Sequence, residues 1–436
     1  MLRATMAVTQ TDSGASARSR IATRLLPFLF LLYVANYIDR TNIAYATLGM
    51  KGDLGLTDSV FGTASGIFFI GYFALQIPGA LLVERWSARL LLAITLITWG
   101  ALTTLTGFVR TPLELYGARF LLGAAEAGFF PGVIVYLSHW FIYQDRAKAV
   151  ARFMSAIPIA YILGGPLAGA ILGIHWLETP GWRWLFLLEG VPAVLLGIVT
   201  LFVLPDRPNE AHWLLPNERD WIVSRLAEER RAKAHAGKMS ILQALRHPPV
   251  IVLTLGLFSC YSGGYIFWFW MPTLLKRMTG WSDVHVGWMG AIPFIAGLIG
   301  MLVLGWSSDR TRERRWHFAA PQLTAAIGLT MWFVLPHSNT LLLVVFTLIG
   351  FGTVSYLPAF WALPSAFLTS SAAAAAIGFI NCTASIGGFV GPKIFGDLSQ
   401  RTGSFNTGFV FMIACWIIAS LLVLLCPRER VPQSTG

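Results

Sequence analysis

The segment YVANYIDRTN, residues Tyr33–Asn42, lies inside a long apolar run from about Leu25 to Leu48. An apolar run of this length spans the roughly 30 Å hydrocarbon core of a bilayer as a helix of about 20 residues. Asp39 and Arg40 would then lie where water is scarce. Each such charge costs about 2.5–3.5 kcal/mol to insert, so the pair indicates a substrate, ion or proton site that faces a cavity.

On a helix, the polar residues of this stretch share one face. Tyr33, Tyr37 and Arg40 follow i, i+4, i+7 spacing, and Asn36 lies one turn before Arg40. An ion pair that only fixes helix packing is the alternative, but it would not need two phenols and an amide beside it. We therefore interpret this face as part of a functional site.

Composition indicates the class of protein. The chain has 436 residues, of which 56% are hydrophobic and 12% charged, and its mean hydropathy is +0.64. An ordinary soluble domain is about 25% charged, so the sequence predicts an all-α polytopic membrane protein. The four cysteines lack metal-ligand spacing, and no cofactor or metal is expected. The eight histidines are scattered and no nucleophile lies beside a base, which argues against an enzyme.

Apolar spans recur in two sets of six, separated by one long polar segment. We predict twelve transmembrane helices in two six-helix halves, at residues 24–204 and 248–426, joined by a helical cytoplasmic linker at 205–247. Residues 1–23 and 427–436 are predicted to be cytoplasmic tails. The spans are 24–48, 59–83, 89–109, 112–140, 147–174, 182–204, 248–277, 283–307, 317–336, 340–368, 372–399 and 404–426.

The distribution of positive charge sets the orientation. With both termini and the even-numbered loops on one side, 23 of the 32 Lys and Arg lie on that side and six on the other. The remaining three, Arg40, Arg119 and Lys393, fall within spans. The positive-inside rule makes the basic side the cytoplasm, and we expect a multi-pass protein of the inner cell membrane. This asymmetry accounts for the net charge of +11 without a nucleic-acid partner, and a monomer suffices.

A weak internal repeat supports two related halves. The loop after the second span, residues 79–89, and the loop after the eighth, residues 305–315, each place an acidic residue and an arginine just past a small-residue helix end. Parallel halves of this kind are typical of rocking transporters, which bind substrate near the midplane between the halves. The acidic-arginine pairs are Glu84 with Arg85 and Asp309 with Arg310.

With these motifs the chain resembles the major facilitator superfamily. Both loops match the signature after helix two, and RFLLGAAEA at residues 119–127 is similar to the family's RxxxGxxxA pattern. Within the superfamily, DRTN at 39–42, WRWLFLLEG at 182–190 and the segment 308–317 resemble the anion:cation symporters, most of all their tartrate-transporter-like bacterial branch. The resemblance covers residues 20–427. It implies the major facilitator fold and alternating access, with the acidic-arginine pairs latching the cytoplasmic side in the outward-open state.

Glu126 is a second acidic residue near the middle of a span, seven residues after Arg119 on nearly the same helical face. Burial and a neighbouring arginine act in opposite directions on the proton affinity of a carboxylate, so such a group can change protonation when a cavity opens or closes. The resemblance implies that Asp39 and Glu126 carry the coupling protons. Neutralisation of Arg119 is the structural alternative for Glu126, and for Arg119 itself we favour that structural role.

Arg40 suits a carboxylate because its guanidinium offers planar, bidentate donors and stays charged. The resemblance likewise implies that Arg40 binds the carboxylate of the substrate, and that Tyr72 and Asn381 match substrate-contacting positions of aldonate symporters. For the aromatic candidates, packing inside the bundle or against lipid is the alternative. The candidate cavity partners of Arg40 are Tyr37, Tyr72 and Gln76 in the first half, and Tyr265, Trp268, Trp361 and Asn381 in the second.

The sequence predicts a proton-coupled symporter that takes up a small organic anion such as tartrate, an aldonate or an aromatic carboxylate. A sodium-coupled or uncoupled carboxylate carrier and an efflux transporter of the same fold are the alternatives. A receptor is disfavoured because no sizeable soluble domain accompanies the linker. One further charge, Glu189, lies six residues after Arg183 in the sixth span, and we predict that it is a structural partner of Arg183.

Overall fold

The computed structural model describes residues 2–235, 247–367 and 370–426. Almost all of this part of the chain is helical, which confirms the all-α prediction. The helices of the first half are α1 (Leu2–Asp53), α2 (Asp58–Arg85), α3 (Ala88–Thr106), α4 (Pro112–Glu126), α5 (Phe129–Trp140), α6 (Tyr143–Met154), α7 (Ala156–Leu172) and α8 (Gly181–Val203), followed by the linker helix α9 (Pro216–His235). The helices of the second half are α10 (Pro248–Thr279), α11 (Asp283–Thr311), α12 (Arg315–Val334), α13 (Asn339–Ser355), α14 (Leu357–Phe367), α15 (Ser370–Ala384), α16 (Gly387–Thr402) and α17 (Asn406–Leu424).

Ten stretches within the described residues are long and apolar enough to cross a membrane. Several predicted spans are built from two consecutive helices, as in the fourth, where α4 and α5 together cover Pro112–Trp140. The predicted spans at 317–336 and 372–399 are also helical, as α12 and as α15 with α16, but they are not among these ten. Crossing by all twelve spans and a cytoplasmic position of both termini stay predictions.

The two halves meet mainly along three helix pairs, in which α1 packs on α10, α2 on α16, and α7 on α11. Glycines make the closest approaches possible. A Cβ at Gly287 would lie 2.4 Å from the backbone oxygen of Gly165, and a Cβ at Gly396 would lie 2.4 Å from the backbone oxygen of Asp58. Small residues of this kind allow helix backbones to touch. The halves are therefore tightly packed at the end of the bundle where α2 and α11 begin.

The polar segments at the chain start and between the halves pack on each other. Residues 1–23 were predicted as a tail separate from the first span, and their described part continues that span as one helix, α1. The linker is helical at α9, where Glu218 accepts a hydrogen bond of 2.5 Å from the Ser16 hydroxyl. Residues 236–246 of the linker and the predicted tail at 427–436 lie outside the described residues.

Candidate functional site

One cavity lies between the two halves and is lined by helices from both. Arg40 is its one charged lining residue in the described part of the chain. Gln76 does not line this cavity; it is buried in α2, and its Oε1 has no hydrogen-bond partner among the described residues. The other seven predicted substrate-binding residues all line it: Tyr37, Arg40, Tyr72, Tyr265, Trp268, Trp361 and Asn381. The fold thus brings them together, and their contact with a substrate stays a prediction.

Arg40 is held on one edge by a carboxylate and on its faces by aromatic rings. Its Nε donates to Glu126 Oε1 at 2.9 Å, and a terminal nitrogen donates to the same oxygen. Its Cζ lies 4.9 Å from the ring centroid of Tyr37 and 5.2 Å from that of Tyr72. Desolvated cation–π contacts of this kind contribute about 2 kcal/mol. The guanidinium is therefore oriented before any substrate arrives.

Asp39, although next to Arg40 in the chain, is held by neutral donors. Its Oδ1 accepts from Asn42 Nδ2 at 3.0 Å, and its Oδ2 accepts from Thr103 Oγ1 at 2.8 Å. Consecutive residues of a helix point in different directions, so the two charges have separate surroundings. Asp39 is 1% exposed. Sequence reasoning missed Thr103 because its distance along the chain hides its position on the neighbouring helix α3.

Arg119 completes a buried cluster of four charges with Asp39, Arg40 and Glu126. The hydrogen bonds of Glu126 come from Arg40 rather than Arg119, because a spacing of seven residues separates two groups by about 10 Å along one helix. Arg119 is fully buried, and its three guanidinium nitrogens find no hydrogen-bond acceptor in the described residues. Its Cζ lies 5.0 Å from the ring centroid of Phe68. Asp39 and Glu126 are the acidic groups whose charges act on it.

In the second half, an aromatic stripe on α10 faces the cavity. Tyr265 is 5% exposed and Trp268 is 6% exposed, so these side chains face inward rather than towards lipid. The indole of Trp268 donates to Thr353 Oγ1 at 3.2 Å, and the hydroxyl of Tyr261 donates to Asn381 Oδ1 at 3.4 Å. The cavity wall opposite Arg40 is therefore aromatic with a few placed hydrogen-bonding groups.

The predicted cytoplasmic latch lies away from this cavity. Asp309, in the last turn of α11, is exposed and accepts a hydrogen bond of 2.6 Å from Arg314, five residues further along the chain, and Arg310 is exposed. The side chains of Glu84 and Arg85 fall outside the described residues. A latch formed by these pairs in another conformation stays a prediction.

The predicted pair of Arg183 and Glu189 is wrong. Arg183 donates to the backbone oxygen of Gly107 at 2.7 Å, and its Cζ lies 4.2 Å from the ring centroid of Trp182. A spacing of six residues places two side chains on different helix faces, about 9 Å apart along the axis. Arg183 is therefore not the structural partner of Glu189 in this structure.

Comparison with known proteins supports the fold along the chain. The sequence profile of the Major Facilitator Superfamily matches residues 29–392. A proposed tartrate transporter of Agrobacterium vitis is 41% identical over 418 residues, which cover 96% of each chain. The quinolone resistance transporter of Acinetobacter baumannii is 35% identical, covering 95% of this chain and 96% of its own. The inward-open xylose transporter XylE from E. coli shares the fold with a TM-score of 0.75 at 15% identity, over 94% of this chain and 98% of XylE.

These matches agree with the helical bundle, the cavity between its halves and the ten apolar stretches. They confirm the resemblance to a tartrate-transporter-like branch, and they make the chain a multi-pass membrane transporter rather than an enzyme. The chain belongs to the major facilitator superfamily.

Proposed function

We propose that this protein is a proton-coupled importer of a small organic anion. The observation that carries the proposal is the buried pair of Arg40 and Glu126 at the wall of the cavity between the halves. Arg40 is the single charged residue that the described part of the chain presents to this cavity. A solute with a carboxylate is therefore the one that the cavity favours.

Competition for Arg40 couples the anion to a proton. In the structure, the Nε edge of the guanidinium is bonded to Glu126. A substrate carboxylate that binds this edge bidentately must replace Glu126, which would then be a buried charge without its partner. Protonation of Glu126 removes that cost. Because linkage is reciprocal, anion binding and proton binding then favour each other.

The net charge of the cluster supports a role for Asp39 as a second proton-binding residue. With all four groups ionised, two arginines balance two carboxylates: Arg40 and Arg119 against Asp39 and Glu126. A bound monocarboxylate restores this balance if Glu126 is protonated. A dicarboxylate brings one more negative charge, which a proton on Asp39 offsets. A dicarboxylate moving with two protons would be electroneutral, and each proton supplies about 1.4 kcal/mol per pH unit.

The class of anion is suggested by the cavity and by one relative. Phenol hydroxyls and the amide of Asn381 line the cavity wall and can hydrogen-bond to hydroxyl groups of a solute. The relative from Agrobacterium vitis is named for tartrate, a hydroxylated dicarboxylate. We therefore place hydroxylated carboxylates first and aromatic carboxylates second among the substrates.

Uptake into proteoliposomes tests the proposal. Labelled tartrate, galactonate and phthalate are supplied with an inward proton gradient, which an ionophore then collapses. We expect one anion to accumulate and its accumulation to vanish with the gradient. Arg40→Lys is the matched variant, since it keeps the charge but loses the bidentate fork. Uptake that ignores the gradient, or that follows a sodium gradient instead, overturns proton coupling.

Efflux of amphipathic compounds is a second candidate, because the relative from Acinetobacter baumannii is named for quinolone resistance and the cavity wall is largely aromatic. An efflux protein would recognise its solute through apolar contacts. Arg40→Ala would then leave export of a neutral compound intact. Loss of all transport in Arg40→Ala favours the anion importer.

A further inference from the structure

Two buried arginines share one aromatic ring in the first half of the bundle. The Cζ atom of Arg40 lies 5.3 Å from the ring centroid of Phe68, and the Cζ atom of Arg119 lies 5.0 Å from the same centroid. Both distances are within the roughly 6 Å at which the face of an aromatic ring attracts a guanidinium. All three side chains are buried. The two contacts are therefore shielded from water, which strengthens cation–π attraction.

The backbone of Phe68 is fixed by close packing between α2 and α4. A Cβ has no room at Gly123 of α4, because it would overlap the backbone oxygen of Phe68. Small residues allow two helices to approach this closely. Gly123 lies one turn after Arg119 and one turn before Glu126 in α4. The packing therefore holds Phe68 at the level of the charged cluster.

The ring of Phe68 stabilises two positive charges that repel each other. Because both Cζ atoms lie so near one centroid, they are within about 10 Å of each other, and their repulsion is strong in an apolar layer. Arg40 is bonded to Glu126, whereas Arg119 has no hydrogen-bond acceptor among the described residues. The face of an aromatic ring is negative. Phe68 therefore offers Arg119 a favourable contact and attracts Arg40 as well.

Phe68 differs from the other two rings around Arg40. Tyr37 and Tyr72 line the cavity between the halves, whereas Phe68 is not among the residues that line it. Phe68 therefore acts on a solute in this cavity only through Arg40. When an anion replaces Glu126 on the Nε edge of Arg40, the hydrogen bonds to Glu126 are lost, but the contact with Phe68 on the ring face is not displaced.

We propose that Phe68 is a positioning residue that holds Arg40 and Arg119 in place through cation–π contacts with one ring. The ring keeps the guanidinium of Arg40 turned towards the cavity, so an anion meets a binding group that is already oriented. The contact of the ring with two arginines concerns the folded protein alone. Its effect on anion affinity rests on the proposed function, in which Arg40 binds the substrate.

Stepwise fluorination of the ring tests its contact with the arginines. Mono-, di- and trifluorinated phenylalanine, introduced in place of Phe68 by nonsense suppression, withdraw electron density from the ring face with little change in size. We expect the thermal unfolding midpoint of the substrate-free protein to fall with each added fluorine, by about 2 °C over the series. The same series at Phe129 is the matched control, because this buried ring packs on the rings of Tyr33 and Trp99. A midpoint that ignores fluorination of Phe68, or that falls equally in both series, overturns the proposal.

Anion affinity in the same proteins tests the positioning role. In calorimetric titrations with the transported anion, we expect trifluorination of Phe68 to weaken binding by about threefold or more. Counterflow exchange at saturating anion should keep its rate, because the ring does not touch the solute. Unchanged affinity together with a lowered unfolding midpoint would make the ring a structural support and overturn the positioning role. If the wild type binds no anion, the proposed function fails, whereas the unfolding midpoints still decide whether the ring holds the two arginines.

Discussion

Asp58, the first residue of α2, accepts hydrogen bonds from both terminal nitrogens of Arg277, near the end of α10, at 2.9 and 2.5 Å. The same carboxylate accepts from Lys51 Nζ at 2.6 Å and from Ser399 Oγ at 2.7 Å. Lys51 belongs to the first half, whereas Arg277 and Ser399 belong to the second. Asp58 therefore ties the halves together at the end of the bundle where α2 begins.

Asp58→Asn should weaken the closure of this end. Hydrogen bonds to charged groups contribute about 1.5–3 kcal/mol, so the equilibrium between closed and open should shift by roughly 10- to 100-fold. Spin labels at Thr57 and Arg401, which are exposed on opposite halves, should report a larger population of long distances. Asp53→Asn is the matched control, because Asp53 bonds to Trp182 within one half. The same distance distribution in Asp58→Asn and wild type would show that the pair does not hold the halves together.

The end of the bundle where α2 begins is also closed by direct backbone contact between α7 and α11. A Cβ at Gly165 would lie 2.6 Å from the oxygen of Gly287, and a Cβ at Gly287 would lie 2.4 Å from the oxygen of Gly165. Gly287→Leu should therefore hold the halves apart and abolish both net uptake and exchange. Gly117→Leu, where a Cβ meets nothing within 4 Å, should fold and transport normally. Normal exchange in Gly287→Leu would contradict a closed state with this contact.

Much of the fold could be predicted because apolar runs of about 20 residues have few alternatives to a membrane helix. The site could be located in the same way: Asp39, Arg40 and Glu126 are costly inside a membrane, and all three prove to be buried in one cluster. The energetic cost of a charge inside a membrane depends on the position of the residue along its span. That cost therefore identifies the residues but not their partners.

The partners depend on how helices pack, which spacing along one helix does not reveal. Glu126 bonds to Arg40, 86 residues away, rather than to Arg119 on its own helix. The pair of Asp58 and Arg277 joins residues 219 apart, and each looks in sequence like an ordinary charge at a helix end. Only the three-dimensional contact of α2 with the second half identifies them as an interface.

Glu126→Gln should separate anion binding from proton binding. In wild type, the affinity for the anion should fall by about tenfold per pH unit once Glu126 is ionised, because its carboxylate then competes for Arg40. In Glu126→Gln this competitor is neutral at every pH, so the affinity for a monocarboxylate should be independent of pH and at least as high as that of wild type at low pH. Calorimetric titration with the transported anion over a series of pH values measures this. Weaker binding with unchanged pH dependence would mean that Glu126 does not compete.

Asp39→Asn should abolish accumulation driven by a pH gradient and leave counterflow exchange partly intact. Exchange needs only that the loaded transporter reorients, whereas net accumulation needs release of the coupling proton. Asparagine still accepts from Thr103, which donates to Asp39 at 2.8 Å, so the local packing should survive. Thr103→Val is the matched variant: it removes this donor but leaves a carboxyl to titrate, so accumulation should persist with an altered pH profile. Equal loss of accumulation and exchange in Asp39→Asn would assign Asp39 a structural role.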